Sequence, residues 1–310
     1  MTKVFIDGSA GTTGLRIRDR LAARADIELL TIDDSLRKDP SARADMLKKC
    51  DVAFLCLPDD AAREAVSLAK DSAAVILDTS TAHRTEPGWA YGFPELSAAH
   101  EEKILSSKRI AVPGCHASGF IALVYPLIER GILPKDALLT CHSLTGYSGG
   151  GKKMIAEYEA DGRSVLLDAP RQYGIAQSHK HLKEMKAITG IDTAPMFSPI
   201  VASYYSGMEV TVPLFASQLN GGFTADDIKK AYAEKYRGGI VKYVTDSDEN
   251  GFLAANTLSG KDSMEISVFG NDERILLTAR YDNLGKGASG AAIECMNIVT
   301  GNEKTKGLNI

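Results

Sequence analysis

The sequence lacks the features that mark several large classes of protein. It has no basic surplus, because 36 lysines and arginines stand against 40 acidic residues among 310 positions, and this balance argues against nucleic acid as a partner. No apolar run is long enough to cross a bilayer. The N-terminal MTKVFID reads as a strand and has no signal-peptide core. We therefore expect neither a nucleic acid nor a membrane as partner.

Cysteine is scarce, and its spacing is uninformative about disulfides. The five cysteines form no CxxC pair, and their number is odd; they are Cys50, Cys56, Cys115, Cys141 and Cys295. A reducing cytoplasm is the simplest location for such a chain. The sequence has no internal repeat and no low-complexity linker, and because 44% of its residues are hydrophobic it can bury a proper core.

Hydrophobic patterning predicts two domains. Strands at 3–7, 28–32, 51–57 and 73–78 alternate with helices at 13–23 and 60–70, which is typical of parallel βαβ units. After residue 115 longer β-rich segments predict an α+β domain with a mostly antiparallel sheet. The tail at 287–299 again reads as a helix that can pack back onto the first domain. The predicted fold class is α/β, with a Rossmann-like dinucleotide-binding domain (1–114 with 283–310) and an α+β catalytic and substrate domain (115–282).

A glycine-rich turn follows the first predicted strand and opens a helix. Gly8, Gly11 and Gly14 form a GxxGxxG pattern, which allows a tight turn and lets a pyrophosphate approach the N–H groups of the helix N-terminus. In this strand–turn–helix setting the pattern predicts a dinucleotide site.

Charged residues after the second strand bear on the choice of cofactor. Asp33 and Asp34 offer an acid that can hold the ribose of NAD, whereas Arg37 and Lys38 can accommodate the 2′-phosphate of NADP. The residues leave both cofactors open, and the two basic side chains favour NADP.

Cys115 is the sharpest local feature. In AVPGCHASGF the strand residues end at Pro113–Gly114, and Cys115 then stands at the start of an apolar helix. The N–H groups and dipole of a helix N-terminus favour thiolate over thiol, and a thiolate attacks acyl carbon readily. The other four cysteines lack this context and are expected to be structural.

A histidine pair is the main candidate for acid–base chemistry. His179 and His181 lie in QSHKHLKEM, and Glu184 follows three residues after His181. If a helix begins here, His181 and Glu184 share a face, so the carboxylate can orient the imidazole of His181, which we take as the base. An HxH pair is also half of a metal site, but no cluster of further ligands accompanies it, so we expect no metal.

Several segments in the same order resemble the short-form N-acetyl-gamma-glutamyl-phosphate reductases, a family of the semialdehyde dehydrogenase superfamily. They are GSAGTTG, FLCLPD with ILDTSTAHR, YGFPEL, VPGCHASG, LTGYSGGGKK, SHKHLKE and DNLGKGASGAAIECMN. The likeness covers nearly the whole chain. Two departures stand out: His116 and Ala117 replace the Tyr-Pro that often follows the cysteine, and FSPI lacks a histidine found in many long-form relatives.

The resemblance implies a reaction and assigns residues to it. It implies that Cys115 attacks N-acetyl-glutamyl 5-phosphate and that NADPH reduces the resulting thioester to the semialdehyde, a step of arginine biosynthesis. His181 and His179 are the implied catalytic histidines, and Arg84 and Glu184 are substrate-binding candidates. The implied cofactor-binding residues are Gly8, Gly11, Thr12, Thr13, Gly14, Arg37, Lys38, Ser148, Gly149, Gly150 and Asn283. We also expect a homo-oligomer, either a dimer or a tetramer.

Three alternatives remain. Aspartate-semialdehyde dehydrogenase and aminoadipyl-phosphate reductase share the mechanism and differ in the pocket. A cysteine hydrolase or acyltransferase would not need the glycine-rich turn, and an NADP-sensing regulator would not need a reactive Cys115. The reaction type therefore rests on finding the cofactor turn and the cysteine in one chain.

Overall fold

The structure, a computed structural model, describes all 310 residues. The strands are β1 (Thr2–Asp7), β2 (Ile27–Leu30), β3 (Val52–Leu55), β4 (Val75–Asp78), β5 (Ala90–Tyr91), β6 (Arg109–Ala111), β7 (Thr140–Gly146), β8 (Arg171–Gln172), β9 (Met196–Ala202), β10 (Met208–Phe215), β11 (Val241–Tyr243), β12 (Met264–Gly270) and β13 (Arg274–Tyr281). The α-helices are α1 (Thr12–Ala22), α2 (Pro40–Lys49), α3 (Asp59–Leu68), α4 (Ala98–Ser106), α5 (Cys115–Glu129), α6 (Gly151–Glu159), α7 (His181–Thr189), α8 (Ala225–Lys235) and α9 (Gly290–Val299). No helix is both long enough and apolar enough to cross a membrane.

The chain divides into two units. The first contains Met1–Gly114 and Ala288–Leu308, and the second contains Cys115–Gly287 and Asn309–Ile310. In the first unit six strands form one sheet in the order β2-β1-β3-β4-β6-β5. Every pairing in this sheet is parallel, which confirms the βαβ arrangement that the alternating pattern predicts.

The second unit holds a mixed sheet of seven strands in the order β11-β12-β13-β10-β7-β9-β8. Four pairings are antiparallel, namely β10 with β13, β10 with β7, β12 with β13 and β8 with β9. The β11–β12 and β7–β9 pairings are parallel. The expectation of a mostly antiparallel sheet is confirmed, with two parallel pairs that the segment pattern does not reveal.

The sequence pattern does not reveal every helix. Helix α2 is absent from the prediction, although Asp39 caps it by accepting a hydrogen bond from the N–H of Ala42 at 2.8 Å. Helix α5 begins at Cys115, which confirms that this residue stands at the start of an apolar helix. Thr224 precedes α8, and its N–H and hydroxyl both donate to the carboxylate of Asp227.

Helix α9 completes the core of the first unit. Its side chains pack in one apolar cluster with residues from the parallel strands, including Val4, Phe54 and Leu77. Asn297 on this helix accepts a hydrogen bond from Arg24 at 2.6 Å. The predicted return of the tail to the first domain is therefore observed.

A buried ion pair lies directly before the glycine-rich turn. Arg43 of α2 donates to Asp7 at the end of β1, at 3.0 Å, and to Glu64 of α3, at 2.6 Å. Burial raises the pKa of Asp7, and the neighbouring Arg43 opposes that rise. The pair therefore couples α2 and α3 to the strand from which the turn emerges.

Replacing Arg43 with Met should destabilise the protein by about 3–5 kcal/mol, because the Asp7 carboxylate would stay buried without its cation. Urea unfolding monitored by circular dichroism measures this change. Asp7→Asn added to Arg43→Met should recover part of the loss. Arg18→Met is the control, since Arg18 is half-exposed on α1 and its loss should cost less than about 0.5 kcal/mol. Equal effects of Arg43→Met and Arg18→Met would contradict the assignment.

Candidate active site

Cys115 occupies the first position of α5 and is partly exposed. The first N–H groups of a helix lie on this side, so the local dipole favours the thiolate form of the side chain. The other cysteines have the opposite environment. Burial raises the pKa of Cys50 to about 11 and that of Cys56 to about 12, and it raises the pKa of Cys141 further. These three side chains therefore stay protonated at neutral pH.

The first turn of α5 is attached to the second-unit sheet through Tyr281. The phenol of Tyr281, on β13, donates to the carbonyl of Cys115 at 2.5 Å and accepts from the N–H of Gly119 at 3.0 Å. A Cβ at Gly119 would lie 2.6 Å from Val210 and 2.7 Å from this phenol oxygen. The close approach requires glycine and holds the backbone of Cys115 against the strand.

The segment that follows β13 is organised by Asp282, which is fully buried. Its carboxylate accepts hydrogen bonds from the N–H groups of Leu284 and Gly285 at 2.6 and 2.9 Å, and from Ser206 at 2.8 Å. The same segment brings Gly287 against Cys115, where a Cβ would lie 3.1 Å from the Cβ of the cysteine. Sequence reasoning missed Asp282, although its position directly before Asn283 in the matched C-terminal segment was a usable signal.

Three histidines gather in the second unit next to the start of α5. The ring centroids of His179 and His181 are 4.7 Å apart. The centroid of the His116 ring lies 5.8 Å from that of His179 and 5.6 Å from that of His181. The ring of Phe197 packs within 5.3 Å of His116 and 5.2 Å of His179. The ring of His116 thus contacts the predicted pair of histidines. In the sequence this residue stands out only as a departure from the family pattern.

Burial favours the uncharged form of two of these three histidines. It lowers the pKa of His116 to about 3, and the neighbouring His179 adds to the effect. Burial also lowers the pKa of His179, with a contribution from the charge of Lys180. The Nδ1 of His179 accepts a hydrogen bond from the N–H of His181 at 3.2 Å. Neutral His179 therefore carries its proton on Nε2, where it can act as a donor.

The predicted acid partner lies on the same helix as His181. His181 begins α7, Glu184 follows in its first turn, and both side chains are buried. Residues three apart on a helix share a face, and the orientation of the His181 imidazole by Glu184 stays a prediction.

Two other predicted residues meet in the loop after β7. Asn283 donates to the hydroxyl of Ser148 at 3.0 Å and accepts from the N–H of Gly207 at 3.0 Å. Gly149 and Gly150 continue this loop and are exposed. The amide of Asn283 therefore fixes the loop that the family resemblance assigns to the cofactor.

The glycine-rich turn lies in the first unit and has the geometry of a phosphate loop. Gly8 has φ of +85°, and a Cβ there would lie 2.3 Å from the carbonyl oxygen of Cys56. Gly11 precedes α1, whose first turn has neither a side-chain cap nor an acidic residue. The N–H groups around Thr12 and Thr13 are thus presented to an anion, and the turn fits a dinucleotide pyrophosphate.

The candidate residues of the following loop are exposed. Arg37 and Lys38 lie in a turn after β2 with their side chains in solvent. Asp33 accepts from the N–H and the hydroxyl of Ser35 at 2.8 and 2.5 Å, and these hydrogen bonds lower its pKa.

Arg84 was predicted to bind substrate phosphate, but its side chain is buried and not on the surface. It is buried in the first unit, where it donates to the carbonyls of Val112 at 2.9 Å and Thr79 at 3.0 Å. Nearby, the carboxylate of Asp78 accepts from Ser80 at 2.7 Å and lies 2.6 Å from the Nδ1 of His83. Across the chain, no group of three or more His, Cys, Asp or Glu side chains is arranged to hold a metal ion.

Two family models match the chain. The one described as "Semialdehyde dehydrogenase, NAD binding domain" matches residues 3–104, and the one described as "Semialdehyde dehydrogenase, dimerisation domain" matches residues 115–283. The glycine-rich turn lies within the first match, and Cys115 with the three histidines lies within the second.

Among curated proteins, the chain is 45% identical to N-acetyl-gamma-glutamyl-phosphate reductase of Sinorhizobium medicae, covering 96% of this chain and 98% of the relative. It is also 45% identical to N-acetyl-gamma-glutamyl-phosphate reductase 2 of a Nostoc species, covering 99% of both.

Solved structures share the fold at low identity. Aspartate semialdehyde dehydrogenase II of Vibrio cholerae superposes with a TM-score of 0.73 at 15% identity, covering 97% of this chain and 98% of that one. Aspartate semialdehyde dehydrogenase of Candida albicans, solved with NADP, superposes with a TM-score of 0.69 at 16% identity and the same coverage. Sequence identity thus favours the reductases, while the dehydrogenases show the common fold. The chain belongs to the semialdehyde dehydrogenase family and, within it, to the N-acetyl-gamma-glutamyl-phosphate reductases.

Proposed function

We propose that this protein reduces N-acetyl-glutamyl 5-phosphate to N-acetyl-glutamate 5-semialdehyde through a thioester on Cys115, with NADPH as reductant. The observation that carries the proposal is a partly exposed cysteine at a helix N-terminus beside a cluster of three histidines, of which His116 and His179 have lowered pKa values. The curated relatives that carry the same activity in their names match almost the whole chain. A hydrolase or an NADP-sensing regulator would use only one of the two matched domains.

The chemistry begins at the sulfur. The Cys115 thiolate attacks the acyl carbon, the C–S bond forms, and the C–O bond to phosphate breaks, so inorganic phosphate leaves. Bound NADPH supplies a hydride to the thioester carbon. The resulting oxyanion collapses, the C–S bond breaks, and the aldehyde leaves Cys115 as a thiolate again.

The two predicted histidines divide the acid–base work. His181, with Glu184 in the same helical turn, takes the proton of the Cys115 thiol. His179 is held in the form that carries its proton on Nε2, which suits a donor to the oxyanion formed during hydride transfer. Both roles require neutral imidazoles, and the lowered pKa of His179 keeps that side chain neutral at physiological pH.

The remaining assignments concern the two ligands. The turn with Gly8, Gly11 and Gly14, together with Thr12 and Thr13, holds the pyrophosphate of NADP. Ser148, Gly149, Gly150 and Asn283 form a loop for the nicotinamide half. Glu184 and Arg84 serve the substrate, and Arg84 does so by bracing the segment after β4, because its guanidinium donates to the carbonyl oxygens of Val112 and Thr79.

The second unit offers a surface for self-association. Leu138, Phe215 and Leu276 are exposed around an apolar pocket of about 380 Å³. The matching family model is described as a dimerisation domain. We infer a homodimer formed through this unit, and a tetramer would need a second contact surface in addition.

Cys115→Ser should abolish reduction and leave NADP binding nearly intact, because a serine hydroxyl stays protonated where the cysteine is partly thiolate. The assay follows reduced cofactor during phosphate-dependent oxidation of N-acetyl-glutamate semialdehyde, with aspartate semialdehyde as the competing substrate. Cys50→Ala, at a buried cysteine, is the control. Normal turnover by Cys115→Ser would remove this residue from the mechanism.

His181→Asn should slow turnover by about 10²–10⁴-fold, as expected for loss of general base catalysis, with little change in cofactor affinity. Activity should fall as pH falls through the pKa of the base, since the base must be unprotonated, and this acidic limb should vanish in His181→Asn. His179→Asn should keep the limb and lower turnover at all pH values. The roles are reversed if His179→Asn is the variant without the limb.

Replacing Arg37 and Lys38 together with Ala should weaken NADP binding by roughly tenfold to hundredfold, because one or two charge-assisted hydrogen bonds to the 2′-phosphate are lost. NAD binding should be unchanged. Fluorescence titration with both cofactors measures the difference. Lys48→Ala with Lys49→Ala, two exposed lysines of α2, removes the same charge elsewhere. Equal losses for NADP and NAD would refute the assignment.

A further inference from the structure

Phe197 lies where the outermost strand of the second-unit sheet has already ended. On one side β9 pairs with β7, where the N–H of Met196 donates to the carbonyl of Leu139 at 2.9 Å. Backbone groups of successive strand residues point to opposite sides, so the N–H and carbonyl of Phe197 face the side of β8. However, β8 has only two residues, and they pair with Ile200 and Val201. The backbone groups of Phe197 therefore need a partner from outside the strand.

Pro199 accounts for the early end of β8. The N–H of Tyr173 donates to the carbonyl of Pro199 at 3.0 Å, but a proline has no N–H to continue the ladder. The chain then turns away at Gly174, which has φ of +61° and whose carbonyl accepts from the N–H of Gln177 at 3.0 Å. A Cβ at Gly174 would lie 3.2 Å from the ring of Pro199. The turn is therefore folded closely against β9.

The side chain of Gln177 takes the place that a strand would occupy beside Phe197. Its Nε2 donates to the carbonyl of Phe197 at 2.7 Å, and its Oε1 accepts from the N–H of Phe197 at 2.9 Å. Two bonds to one residue fix the distance of the segment from β9 and also its rotation. Gln177 has φ of +53°, which is uncommon for a residue with a side chain and persists only where the surroundings impose it.

The residue that Gln177 binds also packs on the candidate catalytic histidines. The ring centroid of Phe197 lies 5.2 Å from that of His179 and 5.3 Å from that of His116. His179 follows Gln177 by two residues and packs on the ring whose backbone Gln177 binds. Its Nδ1 accepts from the N–H of His181 at 3.2 Å. The backbone between Gln177 and His179 is therefore held at both ends.

A second attachment lies on the other side of the turn. The Nδ1 of His116 lies 2.6 Å from the hydroxyl of Ser143, and its Nε2 lies 2.6 Å from the phenol oxygen of Tyr173. These contacts hold Tyr173, which precedes the turn, whereas Gln177 follows it. The amide of Gln177 is thus the attachment on the side of His179.

We propose that Gln177 is a positioning residue for His179. Its amide holds the segment that carries His179 against β9, so that the Nδ1 of His179 meets the N–H of His181 and the imidazole proton stays on Nε2. The inference rests on the proposed function, in which that proton serves the oxyanion formed during hydride transfer. Gln177 itself exchanges no proton and acts only through the orientation of His179.

The test observes the His179 imidazole by NMR in protein that contains isotope-labelled histidine, without substrate or cofactor. The chemical shifts of the two ring nitrogens report which of them carries the proton, and His179→Asn assigns the signal. The unsubstituted protein should show one tautomer, with the proton on Nε2. In Gln177→Ala both tautomers should appear, because the ring is no longer held at the N–H of His181.

Two further variants separate the amide from backbone strain and from general loosening. Gln177→Gly adopts the left-handed conformation freely but lacks the amide, so it should show the same mixture of tautomers as Gln177→Ala. Gln218→Ala is the matched control, because the amide of Gln218 also binds two backbone groups. It accepts from the N–H of Phe215 at 2.8 Å and donates to the carbonyl of Leu138 at 3.0 Å. Its loss should leave the His179 signal unchanged.

The reductase assay adds a kinetic measurement. Gln177→Ala should lower kcat by roughly tenfold to hundredfold, as expected when a catalytic group is present but misplaced. The KM for NADPH should change little, since Gln177 acts on the imidazole alone. The double variant Gln177→Ala with His179→Asn should be no slower than His179→Asn, because both changes remove the same contribution.

A single tautomer with the proton on Nε2 in folded Gln177→Ala would overturn the proposal, as would mixed tautomers in the unsubstituted protein. If Gln177→Ala fails to fold, Gln177→Gly decides, because it relieves the strain. A single tautomer in Gln177→Gly would show that backbone conformation suffices without the amide, which also overturns the proposal. The NMR measurement requires no turnover, so a protein without reductase activity would contradict the proposed function and leave this result intact.

Discussion

One phenol group carries the geometry on which the candidate site depends. Tyr281 bonds both the carbonyl of Cys115 and the N–H of Gly119, so it holds the first turn of α5 at two points. A helix terminus is where backbone groups lack partners and where fraying starts. The two hydrogen bonds of the Tyr281 phenol restrict fraying at the side of the helix that faces the sheet. The backbone of Cys115 therefore stands at a helix start that is held by the strand behind it.

The first turn of α5 has neutral histidine side chains as neighbours. Burying several charged imidazoles together would be costly because they lose solvation and repel one another, and the lowered pKa values of His116 and His179 avoid that cost. Neutral groups can still direct hydrogen bonds. The second unit thus holds two neutral imidazoles next to the start of α5, while burial keeps other thiols such as Cys141 protonated.

Sequence reasoning succeeded where chemistry is local and failed where it depends on distant partners. The glycine-rich turn and the helix start at Cys115 are contiguous segments, so spacing alone reveals them. His116 could not be interpreted this way, because its partners Ser143 and Tyr173 lie 27 and 57 residues away. The sequence also did not reveal the environment of the buried Arg84, because only the fold shows that its guanidinium donates to carbonyl oxygens. Packing information of this kind is absent from a single sequence.

The return of α9 to the core of the first unit has a consequence for how the chain is made. Ala292, Ile293 and Met296 fill the apolar cluster together with Val4 and other strand residues, although nearly the whole sequence separates them. During synthesis from the N-terminus, the parallel sheet emerges first but lacks this layer. The first unit therefore completes its core only once the residues of α9 have been synthesised, and part of its apolar surface stays exposed until then.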